Sequence, residues 1–221
     1  MRDFEDIYQI AADRKGGDEA LEALLSKPLS AKELAETSDD RWLAMMAKCL
    51  FQAGFNWKVI DAKWPGMESA FEGFDPNEVA AYFEDDIDRL LADKGIVRNG
   101  AKVMAVIDNA RFIRQIAEEH GSFGAFVAHW PGERYSELLA VIAKQGSRLG
   151  AATGQRMLRW MGRDGYILAP DVAARLIAEG VVEKPPTSKR DVAATQKAFN
   201  IWAEQSGRGL TQISQVLAYS V

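Results

Sequence analysis

Cysteine is almost absent from this chain: Cys49 is the single one in 221 residues. No internal disulfide can form, and a thiolate-rich zinc site is excluded as well. A reducing, cytoplasmic compartment is the expectation. Histidine is nearly as scarce. His120 and His129 have no neighbouring cysteines, read as structural or solvent-facing, and leave no metal or cofactor to expect. No run of about 18 apolar residues occurs, so no membrane span is expected. Mean hydropathy is −0.20. The opening Met1-Arg2-Asp3-Phe4-Glu5-Asp6 is acidic and does not read as a signal peptide. Strand-like alternation is rare too. Its best instance, Tyr166-Ile167-Leu168, reads either as a short strand or as a buried connection. Repeats, low-complexity tracts and flexible linkers are missing.

What is present is helical periodicity. Ser30-Ala31-Lys32-Glu33 has the form of a capping box. Asp75-Pro76-Asn77-Glu78 sets an acceptor at a cap, proline at the first helical position and an acid in the first turn. The helix after it is expected to run through Val79, Tyr82 and Phe83. Asp85 opens another, with Ile87, Leu90 and Leu91 on one face and Gly95 beyond its end. Further helices are expected near 4–14, 18–26, 39–53, 57–63, 100–119, 122–128, 134–145, 151–162, 171–179, 188–205 and 209–219. Pro65-Gly66, Pro131-Gly132 and Pro185-Pro186 mark turns. An all-α, two-lobed bundle of short helices follows. The aromatic residues of the C-terminal segment, Phe199 and Trp202, with Ile213, are expected to close its core.

Net charge is −5, but it is unevenly spread: residues 1–96 hold 11 Lys+Arg against 21 Asp+Glu, and residues 97–221 hold 16 against 11. Lys144, Arg148, Arg156, Arg159 and Arg163 follow one another with no acid between them. Such a run is either a solvated helix face or a footprint for phosphates. It overlaps the segment Tyr135–Trp160, which reads as helix, tight turn, helix. Gly146 and Gly150 bracket the turn and are expected to supply backbone conformations other residues adopt only with strain. A turn of this kind either joins two helices or binds a DNA phosphate through outward amides and the positive end of the second helix. Gly146, Ser147, Arg148, Gly150 and Thr153 are the candidate phosphate-binding residues.

Two segments carry a family resemblance. The first runs from Gln52-Ala53-Gly54-Phe55-Asn56-Trp57 through Phe74-Asp75-Pro76-Asn77-Glu78-Val79-Ala80 and Gly95-Ile96-Val97-Arg98-Asn99-Gly100-Ala101-Lys102 to Asn109-Ala110. The second is the hairpin, Gly146 to Trp160. Both resemble the 3-methyladenine DNA glycosylase I family, within the helix-hairpin-helix glycosylase superfamily. The resemblance implies a single glycosylase-like domain over residues 1–221, with its hairpin near 135–160. It also implies a monofunctional enzyme of base excision repair that flips an alkylated, 3-methyladenine-like base from duplex DNA and hydrolyses its N-glycosidic bond. No lysine stands where lyase chemistry would need one; Lys144 precedes the turn.

On this resemblance Trp57 is the pocket tryptophan, with Cys49 and Gln52 also at the base pocket; Tyr166 is read either as a further pocket residue or as a packing residue. Gly54, Phe55 and Asn56 form the wedge loop. A cationic alkylated base would gain cation–π attraction from Trp57; on the residues alone Trp57 is also read as a core tryptophan. The family carries a glutamate eight positions before that tryptophan, where Cys49 stands here, and its two-Cys, two-His zinc site lacks its residues. A replacement carboxylate is offered by Asp171. It follows Gly150 by 21 residues, in a context resembling the superfamily's catalytic Asp. Its other reading is dipole compensation in a helix first turn. Asp164 is a weaker candidate, explained by the Gly162–Gly165 turn. The implied partner is double-stranded DNA with a damaged base, bound by a monomer. The alternative is a non-catalytic helix-hairpin-helix DNA-binding protein, or a helical protein-interaction domain.

Overall fold

In the computed structural model the backbone of all 221 residues is described, as is every side chain except that of Ala151. In chain order the helices are α1 (Phe4–Lys15), α2 (Asp18–Glu22), α3 (Ala31–Ala35), α4 (Asp39–Gln52), α5 (Trp57–Ala70), α6 (Pro76–Ala80) and α7 (Glu84–Ala92). They continue with α8 (Gly100–His120), α9 (Phe123–His129), α10 (Tyr135–Gln145), α11 (Ala151–Trp160), α12 (Pro170–Ala178), α13 (Lys189–Ser206) and α14 (Leu210–Tyr219). No β-strand occurs among the described residues. No helix among them is long and apolar enough to cross a membrane. The chain divides into two compact units. A terminal unit holds Met1–Leu29, Trp130–Leu138 and Gly162–Val221, and an inner unit holds Ser30–His129 and Leu139–Met161.

The inner unit is built on α4 and α8. In α4 the apolar residues Trp42, Leu43, Met46, Ala47 and Leu50 recur at helical spacing, and all are buried; this stripe rather than propensity holds the helix in place. Val103, Val106, Ile107, Ala110 and Ile113 do the same in α8. Phe123 of α9 joins them, 5.3 Å from the Trp42 ring and 5.5 Å from Phe112. Gly124 beside it permits close approach: a Cβ there would sit 2.8 Å from the carbonyl oxygens of Leu34 and Thr37. The Ser30 capping box forms as read, with Ser30 accepting from the Glu33 amide and Glu33 accepting from the Ser30 amide.

Several boundaries moved for tertiary reasons. The turn expected at Pro65-Gly66 is helix, because α5 runs through Pro65 to Ala70. Ile60, Met67 and Ala70 are buried along it, and a Cβ on Gly66 would sit 2.8 Å from the Gly95 carbonyl oxygen. Packing thus overrides the lost amide of Pro65. The helix expected through Phe83 stops at Ala80, and the next begins at Glu84 because Asp86 reaches back to accept from the Phe83 amide. α2 ends at Glu22 instead of continuing to 26, closing in tight turns from Leu24 to Leu21 and from Leu25 to Glu22 ahead of Pro28.

In the terminal unit, Phe199, Trp202 and Ile213 are fully buried, as their periodicity predicts. Tyr166 packs 4.9 Å from the Tyr135 ring and 4.5 Å from Phe199. The segment around it is a buried connection and not a strand. Thr211 Oγ1 accepts from the Gly165 amide and donates to its carbonyl, and Ser214 Oγ does the same for Ile167. Asp164 accepts from the Leu210 and Thr211 amides at 3.0 and 2.8 Å, so it caps α14. The turn around it is not the reason for that aspartate; the N-terminus of a helix distant in sequence is.

Candidate functional site

The inner unit gathers most of the expected site residues around the C-terminal end of α4. Backbone carbonyls at a helix end lack intrahelical donors, and here Lys102 supplies one. Its Nζ donates to the Phe51 and Ala53 carbonyls at 3.2 and 2.7 Å. The same ammonium lies 4.2 Å from the centroid of Phe55. Burial, then the nearby Arg148 charge, depress its pKa below the usual lysine range. Gly54 leaves α4 at φ 76°, a left-handed conformation that explains the glycine. Asn56 then caps α5 by accepting from the Lys58 amide. The Gly54-Phe55-Asn56 loop is thereby held at three successive points, with Phe55 40% exposed at its tip.

Trp57 opens α5 and is 44% exposed, so it is not a core tryptophan. It meets Trp160, itself 41% exposed, edge to face at a centroid separation of 5.6 Å. Arg156 covers both rings, its guanidinium carbon 5.2 Å from the Trp57 centroid and 5.7 Å from that of Trp160. Cys49 and Gln52 of α4 are both buried, and among the described residues the Gln52 Oε1 has no hydrogen-bond donor. Burial pushes the Cys49 thiol up to about 12, although Arg156 and Lys48 pull it down. At neutral pH it is a neutral thiol, neither nucleophile nor base. Among the described residues no three His, Cys, Asp or Glu side chains lie close enough together to hold a metal. The buried thiol does not fit the family's zinc set, and His129 Nδ1 is engaged with the Ala125 carbonyl.

The hairpin turn is fastened from below. Asn109 of α8 is fully buried, donates to the Ser147 carbonyl at 3.1 Å and accepts from the Ser147 amide at 2.7 Å. Neither hairpin glycine serves the backbone role expected of it. The left-handed residue of the turn is Arg148, at φ 59°. Gly146 is required because a Cβ would lie 2.7 Å from Leu149 Cδ1 and 2.8 Å from the Ile142 carbonyl oxygen. A Cβ on Gly150 would meet nothing within 4 Å. Its φ of −58° is open to any residue, so neither strain nor crowding within the fold calls for glycine there. Gly150 is the N-cap of α11 and brings no side chain to its first-turn amides, those of Ala152 and Thr153 among them.

Other expected site residues belong to the terminal unit. Asp171 stands in the first turn of α12 behind Pro170 and is exposed. No hydrogen bond or ion pair reaches its carboxylate among the described residues. Tyr166 is buried, as described above, and burial raises its pKa. Sequence reasoning gave no individual role to Lys102, Asn109, Arg156 or Trp160. Lys102 and Asn109 sit inside the quoted motifs, and Arg156 and Trp160 are four apart on one helix face. Those spacings were legible, but the contacts depend on elements far away in sequence.

The pattern of the methyladenine glycosylase family matches residues 34–154. DNA-3-methyladenine glycosylase 1 of Escherichia coli K12 is 31% identical over 134 residues, which cover 58% of this chain and 72% of that protein. A crystal structure of 3-methyladenine DNA glycosylase I superposes with a TM-score of 0.50 at 26% identity, over 57% of this chain and 80% of the other. The 8-oxoguanine glycosylase/lyase of Methanocaldococcus jannaschii, solved with a 15mer DNA containing 8-oxoguanine, covers 96% of this chain and 95% of its own at a TM-score of 0.50. At 11% identity that last likeness is one of fold alone. The chain belongs to the methyladenine glycosylase family.

Proposed function

We propose that this chain is a monofunctional DNA glycosylase of base excision repair that flips an alkylated, 3-methyladenine-like base from duplex DNA and hydrolyses its N-glycosidic bond. Residues 1–221 serve as one glycosylase-like domain, and the protein acts as a monomer in the cytoplasm. The observation that carries the reading is the joining of two functions in the inner unit. α11, whose N-cap Gly150 brings no side chain to its first-turn amides, also carries the Trp160 that touches the half-exposed Trp57. A phosphate gripped at Gly146, Ser147, Arg148, Gly150 and Thr153 fixes the backbone without reading sequence. Trp57 supplies the surface on which an extruded base stacks, with Cys49 and Gln52 near it in the same unit; Tyr166 packs in the aromatic core of the terminal unit. Phe55, on a loop pinned by Lys102, is the apolar wedge that fills the vacated stack.

Breaking the N-glycosidic bond builds oxocarbenium character on the sugar, and a fixed carboxylate stabilises it and orients the attacking water. We assign that role to Asp171. Its sequence context supports the assignment, as does its exposed carboxylate, which has no ion-pair partner among the described residues. The test is release of bases from methylated duplex DNA by the wild type and by Asp171→Asn, which keeps the shape and removes the charge. A loss of at least about 10²-fold, equal to roughly 2.7 kcal/mol of barrier, is expected. Equal release by both proteins removes Asp171 from the mechanism. A second reading, a non-catalytic DNA-binding protein, is favoured by the neutral, buried Cys49. Duplex binding without release of any alkylated base would select it.

A further inference from the structure

Arg163, at the end of the basic run, is buried and donates to the Trp130 carbonyl at 2.7 Å, so it is engaged inside the terminal unit. Arg156 is held differently. Its guanidinium carbon stands 5.2 Å from the Trp57 centroid and 5.7 Å from the Trp160 centroid, in the corner made by two indoles at 89°. The ring faces attract the charge without using up its N–H donors. Among the described residues no carboxylate pairs with Arg156, and no acid lies between Lys144 and Arg163. The Cys49 thiol, on which the Arg156 charge acts, is neutral and supplies no counter-ion. A positioned guanidinium of this kind matches the oxygens of a phosphate two at a time. Gly150, the N-cap of the same helix, stands six residues before it. Six residues of helix cover about 9 Å, more than the ~3.4 Å by which one strand of a duplex rises per phosphate. The cap and Arg156 therefore address different phosphates of a backbone.

We propose that Arg156 is a further phosphate-binding residue, which grips the DNA backbone beside the extruded nucleotide while the base of that nucleotide rests on Trp57. This rests on the glycosylase reading above and adds a backbone contact outside the hairpin set of Gly146, Ser147, Arg148, Gly150 and Thr153. Trp57 is 44% exposed with Arg156 in place, so the guanidinium leaves indole surface for a base to stack on. A nucleotide stacked there brings its own phosphates to within one sugar of the ring. The bound phosphate neutralises Arg156, so a cationic alkylated base beside it meets an ion pair in place of a lone positive charge. The hairpin then fixes the strand, and Arg156 fixes the nucleotide that has left the stack.

The test uses a duplex with one tetrahydrofuran abasic analogue, which carries no base, so a lost base contact cannot register. Affinity is read by fluorescence anisotropy between about 50 and 200 mM salt for wild type, Arg156→Gln and Arg156→Lys, with circular dichroism confirming the fold of each. Arg156→Gln should bind about tenfold more weakly at the lower salt, and its slope of log K against log salt should shrink by about 0.9, the value of one phosphate contact. Arg156→Lys should keep the slope and lose less affinity, since it keeps the charge and loses the fork. A single neutral methylphosphonate, placed in turn at each phosphate flanking the abasic site, should cost wild type about tenfold at one position and Arg156→Gln nothing further there. An unchanged slope in Arg156→Gln, or equal methylphosphonate losses in both proteins at every position, overturns the proposal. Base release from methylated duplex by wild type is measured alongside. Release with an unchanged slope keeps the glycosylase reading and removes Arg156 from the backbone contacts. The predicted slopes without release keep the phosphate contact and overturn the enzymatic reading.

Discussion

The inner and terminal units use their polar groups differently. In the terminal unit several buried or half-buried ones bond within the unit. Asp164 caps α14. Arg175 donates to Ser220 Oγ, the Ser220 carbonyl and Glu179, which also accepts from the Arg2 amide and guanidinium. Gln196 accepts from the Ser136 amide and donates to Asn200. Asp171 is exposed, and no hydrogen bond or ion pair reaches its carboxylate among the described residues. In the inner unit Trp57 and Trp160 are exposed with Arg156 over both rings, and Asn109 and Lys102 hold the hairpin turn and the segment before Trp57. Most of the match to the methyladenine glycosylase family, residues 34–154, falls in this second set. The difference teaches that buried polar groups of the terminal unit serve its own packing, while the inner unit leaves part of its aromatic surface open.

Substitutions can break or sharpen that contrast. After the hundredfold effect expected at Asp171, the next largest belongs to Asn109→Ala, which removes both bonds to Ser147 from a buried position. A stability loss of about 2 kcal/mol in urea denaturation is expected, along with weaker binding to undamaged duplex as the hairpin loosens. Unchanged duplex affinity would remove the hairpin from the interface. Trp57→Ala should cost roughly tenfold or more in affinity for a lesion duplex, since stacking contributes about 1–3 kcal/mol per base. Its stability should change by less than about 2 kcal/mol, because the edge contact with Trp160 and the Arg156 guanidinium over the ring are lost at a half-exposed position. A stability change larger than the affinity change would return Trp57 to the core.

Asp164→Ala should give the opposite signature. Loss of the α14 cap costs about 1–2 kcal/mol, and base release per folded molecule stays the same. A fall in release at full folding would instead make Asp164 part of the chemistry. The smallest effect is silent at neutral pH. The Cys49 thiol is pushed from 9.0 to about 12 by burial, so its protonated form is favoured by folding. Its contribution is complete below pH 9 and is lost as pH rises towards 12. Tyr8 and Tyr166 are raised by burial as well and act in the same direction. Cys49→Ala should therefore flatten the alkaline stability curve relative to wild type, while leaving the tyrosine part of the slope.

Periodicity was enough for the helices that bury one continuous stripe, such as α4, α8 and α13, because burial at helical spacing is a local property of the chain. The Ser30 capping box and the Asp75-Pro76 start were legible for the same reason: donor and acceptor lie within one turn. Pro65 was misread because the contact that holds its helix straight on, Gly66 against Gly95, is invisible locally. The hairpin glycines were assigned the wrong physical role on similar grounds. Sequence shows that a glycine is present, but only the surroundings reveal whether conformation, crowding or an open surface requires it.

By itself the sequence determined the helical class, the capped starts of several helices, the basic run from Lys144 to Arg163 and the motifs that mark the family. All of these are set by neighbours within a few residues or by composition. The tertiary structure decided that Trp57 is exposed, that Asp164 is a cap, that Asn109 fastens the hairpin and that Arg156 lies over two indoles. Those outcomes depend on side chains that approach from 38 to 103 residues away, where no local rule of spacing reaches.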